Sequence, residues 1–176
     1  LAFDGYLPPD SDHESVRVGR VAAPRGDYVL IECDFARFGG TMGVVAGERV
    51  VRAYRRATEL RMPVAAIVST GGARLQEGFY ALMQMGRTVS AVAEHRATGL
   101  RSAVAFRTPT TGGVFASWAN IQDLRCVAPE AVIGFGGPRV VEAVTGSLPV
   151  GSHSAETMLR DGNVDAVVAP EEQQTW

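Results

Sequence analysis

Two glycine pairs carry the chemistry for which this sequence can be read. Gly71-Gly72 ends the run VAAIVSTGG and is followed by Ala73, Arg74 and, three residues later, Glu77. Gly112-Gly113 follows RSAVAFRTPTT in the same way. Glycine permits positive φ and lets a ligand come close to the main chain. N–H groups at the start of a helix lack a partner within the helix and carry partial positive charge. Two such loops side by side aim N–H donors at one point, which is how an oxyanion hole is built. A thioester carbonyl that becomes an enolate needs such a hole and little else. Tight turns are the plain alternative for both pairs. Arg74 offers either an anion site or an ion pair with Glu77. Glu77 offers either a general base or an acid placed for a helix dipole. A third stretch, FGGTMG at 38–43, is glycine-rich after a strand, a weak sign of phosphate or nucleotide-tail binding.

Other chemistries find little support. The chain has no lysine, so no phosphate-binding GxxxxGK[ST] loop, and it has no GxSxG elbow. Cys33 and Cys126 are isolated, with no Cys/His cluster for a metal, and are expected to be buried structural thiols. His13, His95 and His153 are scattered and expected at the surface. A net charge of −2 gives no sequence-wide case for nucleic acid or an anionic membrane. No apolar run approaches the ~20 residues of a membrane span. The N-terminal LAFDGYLPPDSDHES lacks the basic-then-apolar order of a signal peptide. A reduced, cytoplasmic setting is expected.

The elements that must position the glycines alternate between two periods. Strands are predicted at 28–35, 64–69, 101–107, 131–135 and 164–168. Helices are predicted at 47–60, 78–95, 112–124, 138–145 and 154–162. In the first helix Val50, Val51, Tyr54 and Ala57 share a face; in the second, Phe79, Leu82, Met83, Gly86, Val89 and Ala93 recur at helical spacing. Phe115 and Trp118 read as core or interface. Residues 1–15 are polar and proline-bearing and read as an extended arm on one domain spanning 1–176. Strands alternating with helices imply an α/β domain with a largely parallel sheet, whose ligands lie beyond the carboxyl ends of the strands.

STGGARLQEGFYALMQM (69–85), TPTTGGVFAS (108–117) and APEAVIGFGGPRVVE (128–142) resemble stretches of the carboxyltransferase β subunit of acetyl-CoA carboxylase. FGGTMGVVAGERV (38–50) and GNVDAVV (162–168) match in the same order, so the resemblance covers about residues 1–169. It implies a crotonase-like fold, a spiral of ββα units. It implies transfer of a carboxyl group from carboxybiotin, held on a biotinyl carrier protein, to a short acyl-CoA. It implies a hetero-oligomer in which an α-type carboxyltransferase subunit completes the site. The enolate hole would use N–H groups of Gly72, Ala73 and Gly113, with Gly71 and Gly112 shaping the loops. Gly39, Gly40, Met42, Gly43 and Arg74 would lie on the acyl-CoA side. Arg74 and Glu77 would hold the loop rather than do chemistry. The four-cysteine zinc ribbon usual in bacterial β subunits is not found in this sequence. Two other functions share the same hole or dispense with it: a biotin-independent acyl-thioester decarboxylase of malonate-decarboxylase type, and a non-catalytic partner subunit.

Overall fold

The computed structural model describes residues 12–173 and 175–176. Its centre is one mixed sheet in the order β1-β2-β3-β4-β5-β7. The strands are β1 (Val16–Val21), β2 (Tyr28–Cys33), β3 (Val64–Thr70), β4 (Ser102–Thr111), β5 (Leu124–Val127), β6 (Ile133–Gly134) and β7 (Ala166–Val167). Only β1 runs antiparallel, against β2; β2, β3, β4, β5 and β7 are parallel neighbours, and β6 pairs with the far end of β4. The largely parallel sheet is as expected.

Side-chain alternation divides the sheet into two faces. Val29, Ile31, Val64, Ala66, Val68, Val104 and Phe106 point to one face and are buried. Helices α1 (Val44–Leu60) and α2 (Phe79–Ala97) cover that face and complete the main core. α1 buries Val50, Val51, Tyr54 and Ala57, the face read from its spacing. The helices cross closely at Gly47, where an added Cβ would lie 2.6 Å from Gln84 Cβ. Two short helices, α3 (Pro138–Thr145) and α4 (Ala155–Arg160), follow β6. No helix of the described residues is long and apolar enough to cross a membrane.

Four expectations are corrected. The helix predicted over 112–124 does not form. Residues 112–117 make open turns, Trp118–Ile121 a single 3-10 turn, and Leu124–Val127 is β5, drawn out by parallel pairing with β4. Phe115 and Trp118 are in the core, and Trp118 meets Tyr54 edge to face. The second correction is α2, whose buried face is Ala81, Gln84, Thr88, Ala91, Val92 and His95. The Phe79–Leu82–Met83–Gly86 stripe faces solvent instead, and the opposite side meets α1 with Gln84 packed against Gly47. Third, His95 is fully buried, with its Nδ1 3.0 Å from the Thr58 hydroxyl and its ring 5.5 Å from that of Tyr54. Burial pushes its pKa below the ordinary value. Fourth, β1 was not read at all; its burial pattern is that of an exposed edge strand with little periodic signal.

Cys33 and Cys126 are free and buried, and burial pushes their thiols up to about 12 and about 11. Most of the arm predicted over 1–15 lies outside the described residues, but Glu14 and Ser15 are buried.

Phe106 is fully buried and packs edge to face on Phe115 at 5.5 Å between centroids. Phe106→Ala is expected to lower stability by about 3–5 kcal/mol, read as a shift in the urea midpoint at unchanged slope.

Candidate active site

β3 and β4 are parallel neighbours, so their carboxyl ends deliver the two glycine pairs to the same place. The pairs touch. A Cβ on Gly72 would lie 2.9 Å from Gly112 Cα and 3.1 Å from the Gly113 nitrogen. A Cβ on Gly112 would lie 2.8 Å from Gly72 Cα. Both residues have positive φ, +100° at Gly72 and +78° at Gly112. No other residue type fits this main-chain contact.

Several N–H groups in the loops are already bonded. Gly71 N–H donates to Gly39 O at 2.8 Å, and Gly112 N–H to Phe135 O at 2.8 Å. Gly72 N–H donates to the Thr70 hydroxyl at 3.0 Å. Gly72 was expected to supply a hole donor; its N–H is instead held by Thr70, so its part is to shape the contact. The N–H groups of Ala73 and Gly113 have no acceptor among the described residues. Both residues are half-buried, within reach of a ligand. They are the unpaired donors on half-buried residues beside the glycine contact; the N–H groups of exposed Leu75 and Gln76 and of buried Val114 and Phe115 also have no acceptor among the described residues. Met85 stands behind Gly113, its Sδ 3.1 Å from where a Cβ would be, and receives the Ser117 hydroxyl at 3.3 Å.

The 38–43 stretch wraps the first glycine loop. Gly40 has φ +63°, and a Cβ there would lie 2.1 Å from Ser69 O. Thr70 Oγ1 donates to Gly40 O, Met42 N–H to Gly72 O, and Arg74 N–H to Met42 O. Met42 is 1% exposed and belongs to the core. These residues brace the loop that carries Ala73.

Arg74 is 1% exposed, and its guanidinium joins three segments of chain. It donates to both Glu14 oxygens, to Glu77 Oε1 at 3.2 Å and to Thr41 O at 2.7 Å. It also lies 5.0 Å from the centroid of the Phe38 ring. Enclosed in this way, the side chain is not presented to an acyl-CoA, contrary to the expectation that placed it on that side. Glu77 does serve a helix dipole, but that of α1: its Oε2 accepts the Val44 N–H at 2.6 Å. Gly43 leaves room for that carboxylate, since a Cβ would sit 2.2 Å from Glu77 Oε1. Sequence reasoning missed Glu14, which had no motif to mark it.

Burial alone would raise the Glu14 carboxyl. Hydrogen bonds from Arg74 and from the Ser15 N–H outweigh it and hold the group below the ordinary carboxylate range. A carboxyl depressed on folding contributes stability that is present above its unfolded value and lost as pH falls through its folded value. The urea midpoint is therefore expected to fall as pH drops below about 4.5, and Glu14→Gln to flatten that fall. Arg74→Met, which leaves Glu14 and Glu77 enclosed without their cation, is expected to cost roughly 3–5 kcal/mol by the same measurement.

The carboxyl transferase domain model matches residues 25–175. The acetyl-coenzyme A carboxylase carboxyl transferase subunit beta of Sorangium cellulosum is 40% identical over 164 residues, covering 93% of this chain and 58% of that protein. A Mycobacterium tuberculosis protein named "Probable biotin-dependent acyl-coenzyme A carboxylase beta3 subunit" is 43% identical over 157 residues, 89% of this chain and 32% of its own length. The chain thus spans about a third to three fifths of these relatives. Among solved structures, a Pseudomonas malonate decarboxylase hetero-tetramer in complex with malonate superposes with TM-score 0.80 at 23% identity, over 94% of this chain and 64% of that one. Transcarboxylase 12S with methylmalonyl-coenzyme A bound gives TM-score 0.79 at 24% identity, over 88% and 30%. At that identity the likeness speaks for the fold, which is crotonase-like as the resemblance implied. With the domain match running over most of its length, the chain belongs to the carboxyl transferase domain family.

Proposed function

We infer that this chain is a carboxyltransferase subunit that moves a carboxyl group from carboxybiotin to a short acyl-CoA. The observation that carries the reading is the pair of free N–H groups, Ala73 and Gly113, on touching loops at the ends of adjacent parallel strands. A thioester oxygen placed between them receives two hydrogen bonds that strengthen as it gains charge. The nitrogen–carboxyl bond of carboxybiotin would break, the freed ureido nitrogen would take the proton lost from the acyl α-carbon, the enolate oxygen would rest in the hole, and the α-carbon would bond the released carboxyl carbon. Carboxybiotin on a carrier protein supplies that carboxyl group. The donors are main-chain groups in rigid contact, so little reorganisation accompanies the charge. Thr70, Gly72 and Arg74 act as positioning groups for Ala73.

The proposed assembly is a hetero-oligomer with an α-type carboxyltransferase subunit and a biotinyl carrier protein. Two apolar surfaces support a large interface. Leu75, Phe79, Tyr80, Leu82 and Met83 are exposed beside the first glycine loop, Phe79 by 72%. α3 has no buried residue, and Val140 and Val144 lie open along it with Phe135 just before. Contiguous apolar surface of this kind marks contact with another protein. A biotin-independent decarboxylase is the second reading, favoured by the close superposition on malonate decarboxylase.

The deciding assay supplies malonyl-CoA and follows its decarboxylation with and without free biotin and a candidate α-type subunit. Turnover that requires both is the expected result. Turnover by the pair without biotin selects the decarboxylase reading. Complex formation without turnover in any condition selects a non-catalytic partner. In the active pair, Gly113→Pro, which deletes one donor, is expected to lower kcat/KM by roughly 100-fold or more. Phe79→Glu and Val144→Glu are expected to abolish co-elution with the α-type subunit while leaving the melting temperature of the isolated chain within a few degrees.

A further inference from the structure

The sheet face turned away from α1 and α2 holds a groove of about 420 Å³. That volume lies in the range of small-molecule sites. Its floor is small and apolar: Leu30, Ala65, Ile67, Ala103 and Ala105 alternate with the core residues of the same strands. Tyr28 and Trp176 stand among its lining residues. The polar lining is one-sided in charge. Arg25, Arg101 and Arg107 line the groove, and among the described residues no Asp or Glu does. None of the three has a carboxylate partner among the described residues, a state that Arg55, Arg61 and Arg139 outside the groove share, while Arg17, Arg20, Arg52, Arg56, Arg87 and Arg125 are paired. Arg107 Nε is buried and has no hydrogen-bond acceptor. A buried guanidinium N–H left in this way calls for an anion.

We propose that this groove binds an aliphatic carboxylate, its chain on the alanine floor and its head group on Arg107. The site lies on the other sheet face from the helix-covered core and does not depend on the carboxyl-transfer reading. A guanidinium takes a carboxylate in a two-pronged contact, and Arg107 offers its Nε for one prong. The chain displaces water from the apolar floor, so affinity rises with chain length.

The test titrates the full chain with octanoate, decanoate and dodecanoate by calorimetry and by tryptophan fluorescence. The chain has 2 tryptophans, and Trp118 is buried in the opposite core, so a signal lost in Trp176→Phe reports this groove. Saturable binding is expected, tightening roughly threefold to fourfold per added methylene. Arg107→Gln is expected to weaken decanoate at least tenfold. Ala103→Phe, which fills the floor, is expected to abolish binding and carries the test if Arg107→Gln does not fold. Absence of saturable binding overturns the proposal. So does equal binding of 1-decanol and decanoate, or decanoate affinity unchanged by both substitutions.

Discussion

The buried guanidinium of Arg74 is the contact on which the rest of the site depends. It draws the end of the N-terminal arm through Glu14, the glycine-rich strap through Thr41, and the start of α1 through Glu77. Each of these groups alone would be costly to bury. Together they satisfy one another, and the 69–77 loop is fixed from three directions. That fixing leaves Ala73 with its N–H directed to no internal acceptor. A charged cluster built on the neighbouring residue thus determines where an uncharged donor points.

The same economy explains why side chains contribute so little to the proposed chemistry. Thr70 holds both Gly72 N–H and Gly40 O, and Phe135 O holds Gly112 N–H. Once these are paired, Ala73 and Gly113 keep open donors next to the glycine contact, one from each strand end. Parallel pairing of β3 and β4 then sets them side by side. The sheet supplies the alignment, and the glycines supply the absence of anything between the loops.

Much of this was legible in the sequence. The Pro138–Thr145 helix has the bounds read in the sequence, with proline in its first turn, and β3 differs by one residue. The glycine pairs were readable as neighbours because both follow apolar strands. What could not be read involved partners distant in the chain. Arg74 and Glu14 are 60 residues apart, and while Arg74 lies in a motif, Glu14 has none to mark it. The helix expected over 112–124 failed because strand pairing overrode local spacing. The outward face of α2 misled for a related reason: its apolar stripe is regular, but the helix packs its other side on α1, with Gln84 against Gly47. A periodic apolar face shows that something is covered, not that this chain covers it.

The glycine-to-glycine contact has a consequence for how the sequence can drift. The spacing between the loops is set by main chain against main chain, with Gly72 and Gly112 separated by no side chain. Replacing surrounding residues alters the walls of the site but leaves the distance between the loops unchanged. Ancestral and present versions of such a domain can therefore exchange substrates while the central ruler stays the same length. The two glycines themselves have no such latitude, because a change at either meets the other's backbone and no second substitution can make room.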